Sequence, residues 1–141
     1  MELADRIQSV DSLKLLKKID AEAAALGKTM RILLEVNAGN DPAKFGAAIG
    51  TTPELLGAAL ELKHVEVEGL MTVAPLDSNL DTASRCFENL RNLRDGLQKQ
   101  FSVSLPELSM GMSGDLERAI EAGSTLVRVG TFLFGARDYS L

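Results

Sequence analysis

The sequence predicts an α/β protein, a partial (β/α)8 barrel whose five parallel strands are equivalent to the fourth to eighth of the complete barrel. Three observations predict it. Apolar runs of strand length alternate with amphipathic helical stretches in a βαβαβαβαβ pattern followed by a short helical segment. Regular alternation of this kind implies a parallel sheet with right-handed crossovers. The run MRILLEVN (30–37) has few polar positions, which suits a parallel strand covered on both faces. The last two strands end in small polar turns, Met112-Ser113-Gly114 and Gly130-Thr131. In many (β/α)8 barrels such turns, after strands seven and eight, hold a phosphate beside a short extra helix. Counted backwards from that end, the five strands would be the fourth to eighth of a barrel, and the first three would be missing.

Residues 6–10 (RIQSV) form the first strand and end at Asp11-Ser12, a good helix N-cap pair. Ser12 to Leu26 is an amphipathic helix, with Leu13, Leu16, Ile19, Ala23 and Leu26 at helical spacing and Gly27 as the stop. After the strand 30–37 comes a loop of small and polar residues, Ala38 to Phe45, carrying Lys44-Phe45-Gly46. Thr51 or Thr52, with Pro53 and Glu54, starts the next helix, to about Leu62. Val65–Ala74 is the third strand, and a turn around Pro75–Asp81 leads to a long helix, roughly Leu80 to Gln98. Its apolar stripe is Ala83, Cys86, Phe87, Leu90, Leu93 and Leu97. Leu105–Met110 is the fourth strand, Asp115–Ala122 a short helix closed by Gly123, and Thr125–Gly130 the fifth strand.

The 141 residues make one domain, with a formal net charge of −5 and both signs spread along the chain. That balance speaks against a nucleic-acid surface, which carries a basic patch. A small anion needs only a few local donors. The one cysteine, Cys86, forms no internal disulfide. No leader is visible after Met1, and no window approaches the roughly 20 apolar residues of a membrane span. A cytoplasmic protein without membrane contact is expected.

Free backbone N–H groups where a strand opens into a helix make a ready anion site. Ser113 and Gly114 fit that role, with a hydroxyl and close-approaching donors; an ordinary helix N-cap is the equal alternative for Ser113. Gly130 and Thr131 carry the same argument, against a plain glycine strand terminus. Arg128, in LVRVG, needs a partner because a buried unpaired charge is very costly, and Glu35 or Glu68 would serve as a salt-bridge acceptor. Met110 and Met112 flank Gly111 near a strand end, where Met is usually a gap-filler. Asn37 and Met71 sit at strand ends, as site residues or as packing and turn caps. Ser9 or Ser12 can face the same end. His64, the only histidine, reads as a solvated surface residue with no partners for a metal or triad; Cys86 reads as core, and Tyr139 has no assignable role.

LSMGMSGDLERAI followed by GSTLVRVGTFLFGAR closely resembles the C-terminal signature of the YggS/PROSC family, the pyridoxal 5′-phosphate (PLP) homeostasis proteins. Their barrel is like the N-terminal domain of alanine racemase. IQSVDS (7–12), LLEVNAGNDPAKFG (33–46) and EGLMTVAP (68–75) agree with the family in order and spacing. The resemblance covers essentially the whole chain, as the C-terminal portion of one PLP-binding domain. It implies a PLP phosphate held by Ser113, Gly114, Gly130 and Thr131, Arg128 beside the pyridine nitrogen, and Met110 lining the pocket. Family members carry their Schiff-base lysine on a first strand for which this sequence has no counterpart; Lys44 belongs to a different motif.

The implied function is therefore a PLP carrier or buffer, with the cofactor held non-covalently or weakly. An amino-acid racemase is the first alternative, although neither its lysine nor a second acid/base is identifiable. A cofactor-free remnant that self-associates is the second. Open strand edges around Ile7–Val10 and Leu126–Gly130 invite pairing with another chain, so a homo-oligomer is expected.

Overall fold

Five parallel strands lie side by side in the order in which they occur in the sequence: β1 (Arg6–Val10), β2 (Met30–Glu35), β3 (Val65–Met71), β4 (Glu107–Met112) and β5 (Leu126–Arg128). Helices α1 (Leu13–Ala25), α2 (Thr52–Leu60), α3 (Leu80–Phe101) and α4 (Leu116–Glu121) form the crossovers, and α5 (Thr131–Phe134) follows the last strand. The computed structural model describes residues 3–76 and 79–135, without the side chain of Phe132; Arg137 and Tyr139 lie outside the described residues.

Each element follows from local chemistry. Ser12 Oγ accepts from Leu15 N at 3.2 Å and caps α1, which buries Leu16, Ile19 and Ala23. Met30, Ile32, Leu33 and Leu34 of β2 are all fully buried, as the apolar run predicts. The α2 helix starts at Thr52 after a 3-10 turn (Ile49–Thr51) and ends at Leu60, two residues short of expectation. Asn79 Oδ1 caps α3 by accepting from Asp81 N at 2.9 Å. That helix runs one turn beyond Gln98, because Gly96 sits in its interior without ending it and Ser102 supplies the left-handed terminus at φ 53°. β4 begins two residues late, at Glu107, and continues through Gly111 to Met112.

The helix-facing core joins alternate strand residues (Ile32, Leu34, Leu70, Leu108, Met110) to Leu16, Leu56, Phe87 and Leu90 of the helices. Polar side chains cross the opposite face. Arg6 of β1 donates through Nε to Glu68 of β3 at 2.8 Å and through Nη1 to Glu107 of β4 at 3.2 Å. Ser109 Oγ of β4 donates to Gln8 Oε1 of β1 at 2.6 Å. Strands in a flat sheet lie about 4.8 Å apart, so β1 and β4 would stand roughly 14 Å from each other. A 2.6 Å contact between them requires a sheet curled like the wall of a barrel. Gly69 fixes the tightest approach in that wall: a Cβ there would lie 1.9 Å from Glu107 O. The arc is open among the described residues, with β1 and β5 each paired on one side.

Candidate functional site

Beyond the C-terminal ends of the strands lies a cavity of about 830 Å³. Ser113, Gly114, Asp115, Gly130 and Thr131 line it together, and Lys44 reaches it from the loop after β2. The two polar turns singled out in the sequence thus share one cavity. A smaller hollow of about 200 Å³, between Asp11, Ser12 and Glu54, lies apart from them.

The first turn is clamped at its base by Asp115. Asp115 Oδ1 accepts from Met112 N at 2.8 Å, and Asp115 N donates to Met112 O at 3.2 Å. Asp115 is also the N-cap residue of α4, so the N-cap alternative for Ser113 does not hold. Neither glycine in the two turns is demanded by the backbone. Gly114 and Gly130 are absent from the residues with positive φ, and a Cβ on either would meet nothing within 4 Å. They contrast with Gly111, at φ +102°, where a Cβ would lie 2.6 Å from Ala119 Cβ. What Gly114 and Gly130 leave is open space beside backbone donors, room that a ligand can occupy.

Arg128 stands two residues before Gly130 and turns across β4. Its Nη2 donates to the carbonyl oxygen of Thr72, at the end of β3, at 2.6 Å. No ion pair joins it to Glu35 or Glu68 among the described residues; Glu68 is taken by Arg6. The buried Nε has no hydrogen-bond partner among the described residues. An unmet buried donor on a charged group costs of the order of 1–3 kcal/mol, so its position calls for an acceptor. Burial lowers the guanidinium pKa, while Glu35 and Asp115 act to keep the charge. Glu35 in turn is raised by burial and by Asp11, against the opposing pull of Arg128.

Met110 is fully buried in the helix-facing core and does not line the cavity; Met112, two residues on, does. The strand register shifts between Ser109 and Met112 at left-handed Gly111, which reorients the second methionine. Asn37 serves its loop: Nδ2 donates to Asp41 O at 2.8 Å and Oδ1 accepts from Asp41 N at 3.0 Å. Met71 is buried at the end of β3, Ser9 is exposed, and Ser12 caps α1. His64 is a surface residue whose backbone N–H donates to Asp20 Oδ1 at 2.8 Å. No group of three metal-ligating side chains occurs among the described residues. Cys86 is buried, and burial raises its thiol pKa, the opposite of an activated nucleophile. Thr72, Lys44 and Asp115 were not legible as site residues. Lys44 lies within the segment LLEVNAGNDPAKFG, but nothing local says that its loop reaches the cavity lined by the turns after β4 and β5.

The described geometry is that of a parallel half-barrel with an open cavity of mixed polar and apolar lining beyond the C-terminal ends of its strands. The chain belongs to the family described as alanine racemase, N-terminal domain, whose sequence pattern matches residues 2–138. It is 44% identical over 133 residues to the pyridoxal phosphate homeostasis protein of Aquifex aeolicus (strain VF5), covering 94% of this chain and 58% of that protein. The structure of PipY from Synechococcus elongatus PCC7942 with PLP bound superposes with a TM-score of 0.87 at 36% identity, over 95% of this chain and 62% of PipY. An alanine racemase from Clostridium difficile 630 shares the fold, with a TM-score of 0.75 at 17% identity over 96% of this chain and 35% of its own. The chain spans less than two thirds of the length of the homeostasis proteins it matches.

No helix among the described residues is long and apolar enough to cross a membrane.

Proposed function

We propose that this chain is the phosphate-binding portion of a PLP homeostasis protein, a carrier or buffer of the cofactor in the cytoplasm. The observation that carries the reading is that the turns Ser113-Gly114 and Gly130-Thr131, after neighbouring strands, line one cavity; Arg128, two residues before Gly130, lies behind that lining with a buried Nε that has no hydrogen-bond partner among the described residues. The pyridine nitrogen of PLP is an acceptor of the kind that this donor lacks. Gly114 and Gly130 leave open space where a side chain would stand, on the cavity that Ser113 and Thr131 also line, and a phosphate placed there would meet their backbone N–H groups. The residues therefore fit the group.

When bound, PLP supplies an aldehyde and an electron-withdrawing ring. To meet the ring nitrogen, Arg128 would turn its buried Nε into the cavity, and there it would hold the nitrogen as an unprotonated acceptor. A guanidinium does not give up its proton, and Glu35 and Asp115 favour its charged form. Such a ring is a weak electron sink, which suits storage and delivery better than carbanion chemistry. The racemase alternative would need an acid/base pair over the ring, and the surface position of His64 and the buried thiol of Cys86 offer none.

The test is a fluorescence titration with PLP in the presence and absence of inorganic phosphate. Saturable binding that phosphate weakens supports the reading. Unchanged PLP fluorescence across the titration overturns it.

A second reading concerns assembly. β1 and β5 each expose one parallel edge, and such edges pair with other strands unless they are covered. Two copies that pair β5 with β1 would extend both sheets, which supports a homo-oligomer. Light scattering coupled to size exclusion measures it directly, and a monodisperse monomer refutes it.

A further inference from the structure

We propose that Lys44 is the counter-charge for the phosphate in this cavity. The inference rests on the phosphate reading above and adds a residue on a different element. Lys44 is the one cationic side chain among the described residues that line the cavity, and Asp115 is the one anionic side chain. A phosphate monoester carries close to two negative charges at neutral pH. Backbone donors and hydroxyls alone would have to hold it beside a carboxylate in a chain of net charge −5. Asp115 is committed to the turn through Met112 N, so it cannot move away. Arg128 is directed at Thr72 O and does not line the cavity. Lys44 makes no ion pair with a described carboxylate, which leaves its ammonium available.

The loop that carries Lys44 is built to present it. Asn37 grips Asp41 through both atoms of its amide, Asp41 Oδ1 accepts from Ala43 N at 3.0 Å, and Lys44 N donates to Asp41 O at 3.0 Å. On the far side, Asn37 N donates to Ala47 O and Ala47 N donates to Glu35 O, each at 2.9 Å, so the loop returns onto the end of β2. Gly46 permits that return: its φ is +114°, and a Cβ would lie 2.7 Å from Asn37 N. Both ends of the loop are pinned within three residues of Lys44. A lysine held this way loses less freedom on binding an anion than one on a free surface loop.

The probe is pyridoxine 5′-phosphate, which has no aldehyde and cannot react with any lysine; pyridoxine is its phosphate-free control. Calorimetric titration of wild type, Lys44→Gln and Lys44→Arg is expected to show about a tenfold loss of affinity for the phosphate ester in Lys44→Gln. Lys44→Arg should keep most of it, and affinity for pyridoxine should not change. The gap between wild type and Lys44→Gln should narrow at about 0.5 M salt, where screening is strong. Equal affinities in wild type and Lys44→Gln overturn the assignment to Lys44 while leaving the phosphate site standing, and so does a Lys44→Arg variant as weak as Lys44→Gln. A wild-type chain that binds the phosphate ester no better than pyridoxine overturns the phosphate reading itself.

Discussion

Arg128 reaches over β4 to the carbonyl oxygen of Thr72, joining the end of β5 to the end of β3 through a 2.6 Å hydrogen bond. The bond uses Nη2 and leaves Nε buried without a partner among the described residues, so one side chain both braces the curled sheet and holds a donor in reserve. Replacing Arg128 with Gln separates these roles. Loss of the Thr72 contact should lower unfolding free energy by about 1–2 kcal/mol, read from urea denaturation. The remaining folded protein should bind PLP several-fold more weakly. Unaltered PLP affinity in a folded Arg128→Gln chain would remove Arg128 from the cofactor site.

Thr72 is the node beneath that bond. Its Oγ1 donates to Val36 O at 2.7 Å, and its backbone N–H donates to Ser109 O at 3.1 Å, so it ties β2, β3 and β4 together where the site begins. Thr72→Val keeps the shape and removes the hydroxyl. The buried Val36 carbonyl then loses a donor, and a destabilisation of about 1–3 kcal/mol is expected in urea denaturation.

Glu35 makes stability depend on pH. Its folded pKa is raised above the ordinary 4.5, first by burial and then by Asp11. Between the unfolded and the folded value the native chain holds the proton and the unfolded chain does not, so stability falls as pH rises through that window. Above the folded value the penalty is complete. Glu35→Gln should therefore have a higher melting temperature than wild type at pH 7. The difference should vanish as pH falls below about 4.5. A difference that does not vary with pH would dissociate Glu35 from the effect.

Val127 lies on the open edge strand and is 40% exposed. A lysine there places a charge on the edge, a device by which natural sheets block pairing. If copies associate through β5, Val127→Lys should shift light-scattering mass toward the monomer without lowering the melting temperature by more than about 1 °C. An assembly that persists unchanged would place the contact elsewhere.

Most of the scaffold was readable because it rests on local signals. Ser12 announces α1, the apolar run 30–35 announces a doubly covered strand, and the alternation of elements dictates parallel order. The Met110–Met112 pair marks where that reading stops. Simple alternation puts both on one face, but left-handed Gly111 shifts the register, so one methionine enters the core and the other the cavity rim. Long-range polar contacts were equally hidden. Arg6 with Glu107 and Arg128 with Thr72 depend on sheet curl, a property of how five strands stack and not of any window of sequence. For Arg128 the sequence supplied the need for a partner, and of the two carboxylates it offered Glu35 acts only electrostatically and Glu68 pairs with Arg6, while the hydrogen bond goes to a backbone carbonyl with no side-chain signature.

In the proposed function the two polar turns hold the phosphate of PLP, and Gly130 is the position at which a single methyl group would block it. A Cβ at that position meets nothing within 4 Å and the residue has a negative φ, so Gly130→Ala should fold at least as well as wild type. The methyl group would occupy the space beside the backbone donors. In a 31P NMR titration of PLP, wild-type protein should displace or broaden the phosphate resonance to saturation, and Gly130→Ala should need at least about tenfold more protein for the same effect. A phosphate resonance that does not respond to wild type, or responds identically to folded Gly130→Ala, would mean that these turns do not hold the phosphate.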